Sequence, residues 1–253
     1  MHDPRHTMII DAHMHVDDIP ALGWKLDADF CIRRMDEAGI DAAVVMTITD
    51  WPEVNASSIE LVAEACAAHP GRLYAFARIH PWYGDEGIAA LERAIAVHGF
   101  KGLKLHPVST IAHPVGKETL RLIQRAAEHG APTLFHCGDE PLTTPLAVAE
   151  AAEACPEATI ILGHMGGYFH VDEAIEVAER LPNVVLETSA MPYPGKIGEA
   201  VARVGAERVL YASDGPACSP TLEVAKVRLA GLTPDVERLL LGENARRILD
   251  RVS

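Results

Sequence analysis

Basic residues are scarce in this chain of 253, with 22 lysines and arginines against 36 aspartates and glutamates and a formal charge of −14. A field of that sign repels nucleic acid and anionic membrane surfaces, so neither is an expected partner, and a small-molecule substrate is. Only five cysteines occur (Cys31, Cys66, Cys137, Cys155, Cys218), scattered and without a CxxC pair. That pattern excludes a disulfide framework or a structural zinc knot and fits reduced thiols in a cytoplasm. No apolar stretch approaches the ~20 residues that span a bilayer. The short polar start, Met1 to Thr7, lacks the apolar core of a signal peptide, so a soluble cytoplasmic protein is expected. Linkers, low-complexity tracts and blocks of like charge are also missing, and residues 1–253 read as a single domain.

What the chain has is alternation. Eight short apolar segments, 8–15, 41–49, 73–80, 102–106, 132–137, 159–164, 184–189 and 209–214, read as strands. Runs such as Ala42-Ala43-Val44-Val45-Met46 and Thr159-Ile160-Ile161-Leu162 suit parallel strands covered on both faces. Between them lie helix-forming stretches, among them Ser57 to Ala68, Gly87 to His98, Lys117 to His129 and Val171 to Leu181. Gly39, Gly71, Gly99, Gly130 and Gly205 fall where those helices should stop. Thr233 to Val252 reads as one or two closing helices, with Asn244 as a cap. Eight repeats of strand and helix predict a (β/α)8 TIM barrel. The rival, an open doubly wound sheet, lacks a glycine-rich phosphate loop after the first strand.

Polar residues gather where the strand segments end, the face on which barrel active sites form. His13 and His15 are one residue apart on a strand and so share a face. His80, Lys104, His106, His136, His164 and Asp214 end five further segments. Imidazoles and a carboxylate are the donors of a hydrolytic divalent-metal site, and three protein ligands leave a position for water. Zinc is the favoured ion, manganese and iron(II) are alternatives, and a second metal is left open.

Six stretches carry a resemblance: Ile10-Asp11-Ala12-His13-Met14-His15, Gly102-Leu103-Lys104-Leu105-His106-Pro107, Leu134-Phe135-His136-Cys137-Gly138, Leu162-Gly163-His164-Met165-Gly166-Gly167, Ala212-Ser213-Asp214-Gly215-Pro216 and Gly242-Glu243-Asn244-Ala245-Arg246-Arg247. In order and spacing the chain resembles the amidohydrolase superfamily, in its amidohydrolase-related (amidohydrolase 2) branch, over nearly its whole length. The resemblance implies that His13, His15, His136 and Asp214 hold one ion, with His164 a catalytic or second-metal histidine. It also implies hydrolysis of C–N or C–O bonds or, alternatively, non-oxidative decarboxylation. Two-metal members often bridge their ions with a carboxylated lysine or a glutamate, commonly from strand 4. Lys104 occupies that strand, where an unmodified lysine binding an anionic substrate is the other reading.

The main expectation is a metal-dependent hydrolase of a small amide, lactone or ester, with Asp214 taking a proton from water and His164 stabilising the oxyanion. A decarboxylase is the first alternative; a non-catalytic metal- or ligand-binding barrel is the second. Arg78 and His80, with Lys104 and His106, form an expected cationic patch for a substrate carboxylate. Structural roles compete with each assignment. Arg78 could pair with Glu187 or Asp11, and His80 and His106, each before proline, could shape turns. His136 could be a core histidine, Asp214 a helix cap, and His164 a donor to a loop carbonyl. Cys137 should face away from His136, and Cys218 lies just past Asp214. Apolar helix faces would allow a homo-oligomer without specifying one.

Overall fold

Each apolar segment forms a strand in the computed structural model, which describes residues 8–52 and 55–252. The polar start Met1 to Thr7 lies outside those residues. Strand β1 (Ile10–His15) is followed by a small antiparallel hairpin, β2 (Asp17–Ile19) and β3 (Trp24–Leu26). The remaining strands are β4 (Ala42–Met46), β5 (Leu73–Arg78), β6 (Gly102–Leu105), β7 (Thr133–Phe135), β8 (Ile160–Leu162), β9 (Val184–Glu187) and β10 (Val209–Leu210). Helices α1 (Ala28–Ala38), α2 (Ser58–Ala68), α3 (Gly84–His98), α4 (Pro107–Thr110), α5 (Lys117–Glu128), α6 (Pro145–Ala154), α7 (Val171–Arg180), α8 (Pro194–Val204) and α9 (Pro220–Arg228) lie between and after them. The chain ends in α10 (Pro234–Arg238) and α11 (Asn244–Leu249).

The large sheet runs β1-β4-β5-β6-β7-β8-β9-β10 in sequence order with every pairing parallel. Its two edges meet. Ala12 N–H donates to Tyr211 O (3.1 Å), Asp214 N–H to His13 O (2.8 Å) and His15 N–H to Gly215 O (2.7 Å). The result is the expected (β/α)8 barrel.

Alternation along the strands sorts side chains into two layers. Ile10, Ala12, Val44, Phe76, Leu134, Ile161, Val185 and Leu210 fill the barrel interior. Their sequence neighbours, such as Val45, Ala77, Leu103, Phe135 and Leu162, pack outward against the helices. Gly102 makes room for Phe76, whose ring atoms would lie 2.5–2.6 Å from any Cβ placed there.

After the first, which ends at His15 as β1 does, the sequence-based strand spans overshoot at their carboxyl ends, most of all 209–214, where β10 stops at Leu210. Residues beyond these ends leave the ladder, and some of them aim side chains at the barrel mouth. The hairpin was not anticipated, because strands of three residues are too short to carry a readable period. Asn244 does not cap a helix. Its backbone is helical (φ −65°, ψ −46°), and its buried amide donates to Ala206 O (2.8 Å) and Val209 O (2.9 Å), tying α11 to β10. Among the described residues, no helix is long and apolar enough to cross a membrane.

Candidate metal centre

A single extra residue in β1 aims the first two histidines. Ile10 pairs with Ala42, Asp11 with Ala43, Met14 with Val45 and His15 with Met46. Ala12 and His13 therefore share the span that Val44 alone covers on β4, which is a β-bulge. Without it, inward-facing Ile10 and Ala12 would be followed by an inward Met14, and both histidines would face the helices. With it, Met14 joins the outer layer while His13 and His15 turn to the mouth, ring centroids 4.9 Å apart.

Two further ligand candidates sit on backbone that L-residues seldom adopt: His164 has φ 60° and Asp214 has φ 58°. Gly163 allows the first turn, since a Cβ there would lie 2.5 Å from Phe135 O. Ligand atoms of His13, His164 and Asp214 all fall within 4.8 Å of one another. His15 joins them with Nε2 3.0 Å from Asp214 Oδ1, and His136 with Nδ1 3.1 Å from His164 Nε2. The structure therefore brings together all five residues proposed from the sequence, although the triad whose ligand atoms all lie that close contains His164 and neither His15 nor His136.

Outer hydrogen bonds decide which ring nitrogens carry hydrogen. His13 Nδ1 meets Glu187 Oε1 (2.9 Å) and His15 Nδ1 meets Met46 O (3.3 Å); both oxygens can only accept, so each Nδ1 donates. Ser189 spends its hydroxyl hydrogen on Glu187 (2.9 Å), so it accepts from His164 Nδ1 (2.8 Å). His136 Nε2 donates to Glu140 Oε2 (3.3 Å). In their neutral forms the four imidazoles thus turn lone pairs on His13 Nε2, His15 Nε2, His164 Nε2 and His136 Nδ1 toward one another and toward the Asp214 carboxylate. Facing lone pairs repel unless a cation lies between them, and this donor set suits a divalent ion.

Lys104 is the cation already beside them. Fully buried, its Nζ lies 3.2 Å from His13 Nε2, and burial, reinforced by Arg78, lowers it to about 7. Burial, with the Lys104 charge, also lowers His13 to about 3, and burial and the neighbouring imidazoles push His136 down. Burial raises Glu187, but the His13 hydrogen bond reverses this and the carboxyl lies at about 2.

The expected cationic patch is only partly assembled. Arg78 pairs with neither Glu187 nor Asp11. It is buried against Asp50, Nε to Oδ1 at 2.8 Å and Nη2 to Oδ2 at 3.2 Å, and Nη2 also donates to Ser109 Oγ (3.0 Å). His80 accepts from Trp82 N–H (3.3 Å) and packs edge-on to Tyr83, shaping the turn at Pro81–Tyr83. His106 stacks on His136 at 4.0 Å. Asp214 caps no helix, because the next begins at Pro220, and His164 bonds no loop carbonyl. Cys137 packs in the outer layer as expected, and Cys218 Sγ lies 3.8 Å from Asp214 Oδ2. Ser189, Asp50 and Glu140 are supporting residues that sequence reasoning did not single out, and Glu187 entered it only as a possible partner of Arg78. Only the strand-end position of Glu187 carried a signal.

The family model described as amidohydrolase matches residues 10–251. Solved structures similar to the chain include 5-carboxyvanillate decarboxylase from Novosphingobium aromaticivorans with manganese (15% identity, TM-score 0.80, covering 98% of this chain and 97% of that one). Dihydroxybenzoic acid decarboxylase from Polaromonas sp., also with manganese, matches at 16% identity and TM-score 0.74, covering 97% of each chain. An uncharacterized TIM-barrel protein from Bordetella bronchiseptica matches at 19% and 0.78, covering 96% of this chain and 99% of that one. At such identities the likeness is one of fold. No curated protein matches the chain by sequence at a significant level.

Proposed function

We propose, for a chain that belongs to the amidohydrolase family, that the barrel mouth removes carbon dioxide from a small carboxylated aromatic acid without oxidation. The observation that carries this reading is the converging set of imidazole lone pairs and one carboxylate with buried Lys104 at its side. Such a set holds a divalent ion and still offers positive charge to an anionic substrate. The decarboxylases among the structural neighbours favour this reading over amide, lactone or ester hydrolysis. Manganese is the first ion to test, with zinc beside it, since imidazole and carboxylate donors accept both.

A divalent ion held by His13, His15, His136, His164 and Asp214 would supply positive charge to an anionic substrate and to the electron pair left on carbon. In decarboxylation the bond between ring carbon and carboxyl carbon breaks, its electrons stay on the ring carbon, and that carbon takes a proton. His164 and Asp214 border the ion position and are the groups able to hold or pass that proton. Glu187 fixes the His13 ring and the His164 backbone, with N–H to Oε1 at 3.0 Å. The protein, stripped of metal and reloaded with manganese or zinc, should release carbon dioxide from 2,6-dihydroxybenzoate or 5-carboxyvanillate only when loaded. Cleavage of amides or lactones with no carbon dioxide from any carboxylated phenol would overturn the proposal in favour of hydrolysis.

A further inference from the structure

The outer edge of His106 is a donor that the site described so far does not use. Its ring lies parallel to that of His136, with 7° between the planes. Ser109 N–H donates to His106 Nδ1 (3.3 Å), and a ring nitrogen that accepts carries no hydrogen. In the neutral ring the hydrogen is therefore on Nε2. Ser109 is itself pinned by its hydroxyl on Asp50 Oδ2 (2.8 Å) and by Arg78 Nη2 (3.0 Å), so a buried ion pair sets the orientation of His106. Among the described residues Nε2 has no acceptor, and it is not one of the fully enclosed unpartnered side-chain atoms. The N–H is therefore not sealed off, on a ring stacked against His136. Lys104 precedes His106 by two residues, and Arg78, its charge matched by Asp50, is the register partner of Lys104 on β5.

We propose that His106 determines substrate specificity by donating its Nε2–H to a carboxylate oxygen of the bound acid, on the β5–β6 side of the mouth. This deepens the decarboxylase reading and rests on it for the choice of acid. A neutral donor held as one tautomer suits an anion next to an ion site, because it adds direction without adding charge.

The test is equilibrium binding to manganese-loaded protein, measured by calorimetry with 2,6-dihydroxybenzoate and with resorcinol, which is the same ring without the carboxylate. His106→Phe keeps the stacked ring and removes the donor. It should retain metal content and melting temperature, and weaken 2,6-dihydroxybenzoate by about tenfold to a hundredfold, the loss of one hydrogen bond to a charged group. Resorcinol binding should not change. His106→Gln, whose amide reaches the Nε2 position, should recover most of the affinity, and His106→Asn should not. Equal weakening of both probes, no weakening of either, or recovery by Asn alone would overturn the assignment. Wild-type protein that binds the acid yet releases no carbon dioxide removes the decarboxylase reading while the His106 comparison still decides this one. Wild-type protein that binds neither probe overturns both.

Discussion

Glu187 holds three groups at once: the His13 ring, the His164 backbone and Ser189, through its N–H (2.7 Å) and its hydroxyl (2.9 Å). By fixing the hydrogen on His13 Nδ1 it keeps the lone pair on Nε2, the atom that faces Lys104 Nζ. Glu187→Gln keeps the shape and loses the charge, and metal affinity should fall by about 10–100-fold in a chelator competition. Affinity equal to wild type would show that the carboxylate merely fills space. Lys104→Met tests the other buried group. The Michaelis constant for a carboxylate substrate should rise by roughly tenfold or more, the scale of a lost charge-assisted hydrogen bond, and an unchanged value counts against Lys104 as an anion contact. His13, His15, His136, His164 and Asp214 were legible as residues because metal chemistry limits ligands to a few side chains. Glu187 and Asp50 were not, because a buried glutamate or aspartate is defined by its partners, and those lie far away in sequence.

At the scale of elements, every barrel strand and most helices followed from hydrophobic period and glycine punctuation. The bulge in β1 did not, since Ile10 to His15 reads equally well as an unbroken strand. Its consequence is large, because one residue of register decides whether two histidines face the mouth or the helices. The close passage of Phe76 over Gly102 belongs here too. Gly102→Ala should destabilise the fold by about 1–3 kcal/mol in urea unfolding, the usual cost of overpacking. Combining it with Phe76→Leu should restore part of that loss, because the smaller side chain vacates the space. Additive losses in the double variant would argue that glycine is needed there for its backbone and not for the gap.

For the whole molecule, a site of buried imidazoles couples stability to acid. His13 lies at about 3 and His106 at about 2, both lowered first by burial, against 6.5 for an exposed histidine, and His136 is lowered too. Below pH 6.5 the unfolded chain takes up these protons and the folded chain does not, so the metal-free protein should lose stability as pH falls toward 3. Asp11, raised by burial to about 7, gains a proton on folding and offsets one histidine. A net slope of up to about 1.4 kcal/mol per pH unit for each remaining histidine is expected from urea unfolding. A flat profile between pH 6.5 and 5 would contradict the buried neutral cluster. Near pH 7.5, manganese at about 100 times its dissociation constant should add about 2.7 kcal/mol, roughly 5–10 °C in melting temperature for a chain of this size. No shift would mean that the converging lone pairs bind no ion. The sequence by itself determined the barrel, the face on which the histidines gather and the side chains with donors suited to a cation, because period and donor chemistry act locally. Tertiary structure alone decided which way β1 presents its histidines, that Arg78 is tied to Asp50, and which nitrogen of each ring is free. Those depend on register and on hydrogen bonds between separate segments, from 28 residues apart for Arg78 and Asp50 to 174 for His13 and Glu187, which no local pattern encodes.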